Sequence, residues 1–225
     1  MLRALIFDFN GIIVDDEPIH FELFRRVLAE EGIVLTEEDY YARYLGFDDR
    51  GAFSAAYQEH GLPLDQPLLA RLIDRKAIYY QNEIRNKARI FPGVEKLVAD
   101  LAPVFPLAVA SGALRQEIEA ILAKAGLLKH FTVVISAEDV NRGKPEPEVF
   151  LKALAALNAQ NGASILAADC LVIEDSREGI RGARRAGMKC LAVSNSHPAE
   201  LLREANAVVS SLEEVDLSFL EEICA

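Results

Sequence analysis

Four short stretches of this chain carry residues whose types and order can do chemistry. They are Asp8-Phe9-Asn10-Gly11, Ser111-Gly112, the run RGKPEPEVF with Lys144 ahead of Pro147, and Glu174-Asp175-Ser176. Carboxylates brought to two strand ends can hold a hard divalent cation such as Mg2+, which takes oxygen ligands and keeps waters for a phosphate. A serine hydroxyl and a lysine ammonium on nearby loops can grip phosphate oxygens. Gly11 and Gly112 let backbone N–H groups approach an anion closely. Singly, each stretch has a plainer reading: Asp8 as a loop acid, Lys144 as a solvated lysine, Ser111-Gly112 as a turn, Glu174-Asp175 as a helix cap. All four at one edge of a sheet favour phosphoryl transfer. The glycines of EDSREGIRGARRAG do not fit the G-x-G-x-x-G pattern of a dinucleotide loop.

The elements that must position these residues alternate. RALIFDF, PLAVAS, FTVVIS, CLVIED and CLAVS have strand length and the near-continuous apolar character of strands buried on both faces; AVVSS is a weaker sixth. Between them GVEKLVADLA, ALRQEIEAILAKAG, PEVFLKALAALNA and REGIRGARRAG space apolar or small residues as helices do. Such alternation predicts an α/β fold with a parallel doubly wound sheet, whose ligands gather outside the carboxyl ends of the strands. Residues 16–89 break the rhythm and offer only helical patterns. Thr36 followed by Glu37, Glu38 and Asp39 marks a helix start, and Pro92-Gly93 marks the return. The expected division is a core of 1–15 and 90–225 with an all-helical insert at 16–89. Arg25, Arg26, Arg71, Arg75 and Lys76 read as solvated faces of the insert.

Composition narrows the partners. The 225 residues carry a formal net charge of -11, which argues against a nucleic-acid footprint or an anionic membrane surface. No apolar run reaches the roughly 18 residues of a membrane span, and Met1-Leu2-Arg3 leads straight into a strand rather than a signal peptide. Cys170, Cys190 and Cys224 form no C-x-x-C and read as buried thiols of a reducing compartment. The expectation is a cytoplasmic protein, monomer or weak homodimer.

FDFNGIIVDDEPIH, ASGALRQEI, GKPEPEVF and CLVIEDSREGIRGARRAGM together resemble the haloacid dehalogenase superfamily of phosphotransferases. The likeness is nearest to its β-phosphoglucomutase and phosphoglycolate phosphatase-like branch, and it covers essentially the whole chain. It implies a Rossmann-like core, a helical cap, Mg2+ and a small phosphorylated metabolite as substrate. By this resemblance Asp8 is the nucleophile that becomes an aspartyl phosphate. Asp8, the backbone carbonyl of Asn10 and Asp175 hold Mg2+ with Glu174 assisting, and Ser111 and Lys144 bind the transferring phosphoryl group. Hydrolysis then proceeds under a closed cap. Gly11, Gly112, Arg50 and His20 are the candidate substrate contacts.

Two positions depart from that pattern. The family usually places an acid/base aspartate two residues after the nucleophile, where this chain has Asn10; an amide cannot exchange a proton near neutral pH. Three explanations stand: an asparagine introduced to trap a complex, a natural enzyme using easier leaving groups or a surrogate among Asp15, Asp16, Glu17 and His20, or a binder of phosphorylated ligands. In the cap, Leu45 precedes Gly46 where the mutase branch carries a lysine, leaving Arg50 as the nearby cation; Arg50 alternatively pairs with Asp48 or Asp49. This weakens a β-phosphoglucomutase-type reaction and leaves a Mg2+-dependent phosphatase as the main expectation.

Overall fold

A computed structural model describes residues 1–44, 47, 49–161 and 164–224. The chain divides into two compact units, one of Met1–Asp15 with Arg89–Ala225 and one of Asp16–Ala88. The first strand, β1 (Ala4–Phe7), is buried along its whole length, as a central strand of a parallel sheet must be. A second, two-residue strand, β2 (Val14–Asp15), pairs antiparallel with β3 (Arg89–Ile90). Sequence reading missed this pair because two residues are too few to show an alternation.

The Asp16–Ala88 unit is helical among its described residues: α1 (Glu17–Glu30), α2 (Glu37–Arg43), α3 (Asp49–Glu59) and α4 (Gln66–Lys87). Thr36 caps α2 by accepting from the Asp39 N–H at 3.1 Å, and Asp65 caps α4 from the Leu68 N–H at 2.8 Å. The apolar faces meet in one core around Phe24, Val27, Leu28, Phe53 and Leu72. Arg75 Nη1 bonds Glu30 at 2.8 Å and Glu31 at 3.0 Å, tying α4 to the end of α1.

Lys76 corrects the expectation of a solvated face. Its side chain is 1% exposed; Nζ donates to Asp49 Oδ1 at 2.6 Å and to His20 Nδ1 at 2.7 Å, and lies 4.1 Å from the centroid of the Phe24 ring. Helical periodicity placed it among charges, but the long aliphatic stem lets position 76 face inward while its head finds partners. Burial lowers its pKa, against the pull of Asp49.

The other unit is a sheet covered by helices. Its strands are β4 (Leu107–Ala110), β5 (Phe131–Ile135), β6 (Cys170–Glu174), β7 (Lys189–Val193) and β8 (Ala207–Val209). With β1 they form a parallel sheet in the order β5-β4-β1-β6-β7-β8. The helices are α5 (Val94–Leu101), α6 (Arg115–Lys124), α7 (Glu148–Asn161), α8 (Arg177–Arg185) and α9 (Leu217–Ile223). Ala4, Ile6, Ala108 and Val172 share a core with Phe150, Leu157 and Ile180 of α7 and α8, one side of each strand's alternation. The chain departs from β1 to both sides, so β1 is the switch point where ligands bind in such sheets. The three cysteines are buried and unpaired, and burial pushes the Cys170 thiol up to about 12. No helix among the described residues is long and apolar enough to cross a membrane.

Removing the Lys76 head leaves Asp49 and His20, each about a third exposed, without the buried ammonium they share. Truncating one member of a buried pair costs about 3–5 kcal/mol, and Asp49, with its side chain 32% exposed, places this case at the low end. Lys76→Ala should therefore lower the urea-unfolding free energy by about 3 kcal/mol, with Lys76→Met losing clearly less. Equal losses in the two variants would show that packing of the stem, not the ammonium, is what matters.

Candidate active site

Register explains the convergence. Phe7 of β1 pairs with Val109 of β4 and with Ile173 of β6. The next residues outward are Asp8, Ala110-Ser111 and Glu174-Asp175, all at the carboxyl edge. The Asp8 N–H donates to the Ile173 carbonyl at 2.9 Å, which fixes where its side chain starts. Asp8, Ser111, Glu174 and Asp175 are all buried.

Lys144, in the loop before α7, reaches into this edge. Its Nζ lies 2.7 Å from Asp8 Oδ1 and 2.6 Å from Glu174 Oε1. The contact with Asp8 is an ion pair, and no further donor reaches this buried oxygen among the described residues. Glu174 is more fully engaged. Its Oε2 accepts from the Asp175 and Ser176 N–H groups, both at 2.9 Å, and from the Ser176 hydroxyl at 2.8 Å. A Cβ at Gly179 would overlap this carboxylate, so glycine in the first turn of α8 makes the room for it.

Charge is unbalanced. Oxygens of Asp8, Glu174 and Asp175 lie within 4.8 Å of one another, against one ammonium. Burial and the Glu174 charge outweigh Lys144 and push Asp8 up to about 7. Burial, then Glu174 and Asp8, holds Asp175 well above the carboxylate range. Burial acts the same way on Glu174, but Lys144 and the Ser176 donors outweigh it and hold that acid down. The Lys144 ammonium resists its own burial because Asp8 and Glu174 stabilise it. An all-oxygen donor set with surplus buried negative charge fits a divalent cation.

Gly11 closes the site from below. Its φ is +77°, a left-handed conformation that suits glycine, and a Cβ there would overlap Asp175 Oδ2. Its N–H donates to the Val14 carbonyl at 2.9 Å. Ser111 accepts the Ala113 N–H at 3.1 Å, and Gly112 has open space where a Cβ would stand. Sequence reasoning missed two contributors. Asn195 Nδ2 donates to the Gly11 carbonyl at 2.7 Å, and the Ser196 hydroxyl donates to Asp175 Oδ2. The available signal was that CLAVS ends at the same edge as the other strands, with Asn195-Ser196 directly after it.

The remaining candidates, His20 and Arg50, belong to the helical unit. Lys76 has only protons to give, so His20 Nδ1 is the acceptor of that bond. His20 Nε2 then carries the proton it shares with Asp16 Oδ2 at 3.1 Å. Tyr80 donates to the same Asp16 oxygen at 2.6 Å. His20 is thus part of an internal network. Arg50 is exposed and bonds Gln66 Oε1 at 3.0 Å, while Asp49 is taken by Lys76. Leu45, Gly46 and Asp48 lie outside the described residues.

A parallel sheet that gathers an aspartate, a lysine and a further acid pair at its switch point has the layout of α/β folds that bind ligands there. Residues 5–193 match the family model described as haloacid dehalogenase-like hydrolase. The chain belongs to that family and is a hydrolase. A phosphorylated carbohydrates phosphatase of Thermotoga maritima is 30% identical over 99% of this chain and 100% of its own length. A validoxylamine A 7'-phosphate phosphatase of Streptomyces hygroscopicus is 30% identical over 96% of each chain. Among solved structures, a haloacid dehalogenase-like protein of unknown function from Agrobacterium tumefaciens superposes with a TM-score of 0.80 at 26% identity, covering 99% of both chains.

The crowded acids make metal-free stability pH-dependent. Asp8 keeps its proton up to about 7 in the fold, against an ordinary value of 3.8. Between these values the native state binds the extra proton, so Asp8's contribution is complete below the lower value and lost as pH rises through the upper one. In chelator, Asp8→Asn should be more stable than the parent at about pH 8, by on the order of 2 kcal/mol. It should show no such advantage near pH 3.5. Thermal melts at the two pH values check this, and no difference at the higher one would contradict it.

Proposed function

We propose that this hydrolase is a Mg2+-dependent phosphatase of a small phosphorylated metabolite, of the sugar-phosphate kind, working through an aspartyl phosphate on Asp8. The observation that carries the reading is the buried cluster of Asp8, Glu174 and Asp175 oxygens at the switch point, with the Lys144 ammonium 2.7 Å from Asp8 Oδ1. The phosphatase names of the two relatives support the reaction class, and their sugar-like substrates support the substrate class.

In the first step an Asp8 oxygen attacks phosphorus, the P–O bond to the leaving group breaks, and the departing alkoxide oxygen takes its proton from solvent water, leaving hydroxide. Lys144 faces the developing charge as a fixed cation. Ser111, whose oxygen already accepts the Ala113 N–H, has its proton to donate to a phosphoryl oxygen. Mg2+ held by Asp8, Asp175 and the Asn10 backbone carbonyl, with Glu174 beside them, would supply further neutralisation of phosphoryl charge. Glu174's own oxygens are occupied, so its part is to hold Lys144 and the turn into α8. In the second step water attacks phosphorus, the bond to Asp8 breaks, and the carboxylate is restored; one proton of the water stays on the released phosphate and the other neutralises the hydroxide formed in the first step. Asn10 neither gives nor takes a proton in either step, so esters with good leaving groups are the favoured substrates.

A phosphate-release screen over sugar phosphates and other small esters, with and without Mg2+, tests this. Release should require Mg2+ and vanish in Asp8→Asn. Asn10→Asp should raise turnover by about 10²–10⁴, the value of general acid–base help. No release from any ester by either the parent or Asn10→Asp would overturn the phosphatase reading in favour of a phospho-ligand binder.

A further inference from the structure

The loop after β7 is a fourth strand end at the catalytic edge. Its base is pinned to the sheet, where the Ser194 N–H donates to the carbonyl of Val209, the last residue of β8, at 3.0 Å. From that base two consecutive side chains reach back into the site. Asn195 takes the Gly11 carbonyl at 2.7 Å, and Ser196 takes Asp175 Oδ2. The three groups crowd together: a Cβ at Gly11 would overlap Asp175 Oδ2 and come within 2.9 Å of Ser196 Oγ.

We propose that Asn195 and Ser196 are positioning residues for the cation site, one fixing the Gly11 backbone and the other selecting the Asp175 oxygen that faces the metal. The inference rests on the phosphatase reading above and extends it. Asp175 is buried beside two other acids, and without the Ser196 donor its carboxyl group is left to turn about its side-chain bonds. The Ser196 hydroxyl donates to Oδ2, which holds the group in place and leaves Oδ1 to act as the ligand. Asn195 acts on the other side. The peptide joining Asn10 to Gly11 has its N–H bonded to Val14, and the following peptide has its carbonyl bonded to Asn195. Both peptide planes of Gly11 are therefore fixed, and with them the direction of the Asn10 carbonyl. Partners that orient ligands in this way typically change metal affinity by about 10–100-fold when removed.

Calorimetric titration of the metal-free protein with Mg2+, alongside metal-free thermal melts, tests the assignment without relying on turnover. Ser196→Ala should weaken Mg2+ binding by about tenfold or more, and Ser196→Thr, which keeps the hydroxyl, should restore most of it. Asn195→Ala reads the second bond independently and should weaken binding in the same direction. A merely structural role would lower the metal-free melting temperature and leave Mg2+ affinity unchanged. Unchanged affinity in both Ser196→Ala and Asn195→Ala, with the parent binding Mg2+, would overturn this inference and leave the phosphatase reading intact. No Mg2+ binding by the parent would overturn the metal site and this inference together.

Discussion

Three carboxylates share one ammonium at the edge of β1, and much of the surrounding sequence answers that constraint. A buried cluster with surplus negative charge survives in a fold only where each acid has a designated donor or counter-charge. Lys144 neutralises Asp8 and Glu174 together. The start of α8 gives Glu174 three donors, and Ser196 gives Asp175 one. The two glycines that cannot take a side chain here, Gly11 and Gly179, are those whose Cβ would meet a carboxylate of the cluster. The fold around the site is thus organised by charge as much as by apolar packing.

This division also separates affinity from proton handling. Every group that attracts a phosphate or a cation is rigidly held, either by the sheet register or by side-chain bonds. Asn10, two residues after Asp8, holds an amide, which cannot carry a proton near neutral pH. Changing a residue that binds anions would disturb the charge balance of the cluster. Changing Asn10 alters a proton inventory while leaving the backbone carbonyl in place. In the proposed mechanism, capture therefore falls to Asp8, Ser111, Lys144 and Asp175, and the proton inventory turns on Asn10 alone.

Much of this was legible in the sequence. Buried parallel strands are apolar on both faces, so RALIFDF, CLVIED and CLAVS announced themselves, and their polar C-terminal residues marked the site. The cap of α2 followed from Thr36 and its acids. What was illegible depended on three dimensions. Lys76 is a charged residue with partners from two other helices, which no one-dimensional spacing reveals. The β2–β3 pair is made by residues more than seventy positions apart. Asn195 and Ser196 were visible as polar residues after a strand, but only the order of the sheet puts that strand next to β6.

The Gly11 N–H, tied to the Val14 carbonyl, has one more consequence. An asparagine followed by glycine is the pair most inclined to close a succinimide, in which the glycine nitrogen attacks the asparagine side chain and ammonia is expelled. That ring opens to aspartate or isoaspartate, and here the aspartate would supply the missing acid. The attacking nitrogen is held in a hydrogen bond by a backbone whose φ is fixed, so ring closure has to wait for the loop to open. The Gly11 hydrogen bond thus opposes ring closure at Asn10 for as long as the loop keeps this conformation.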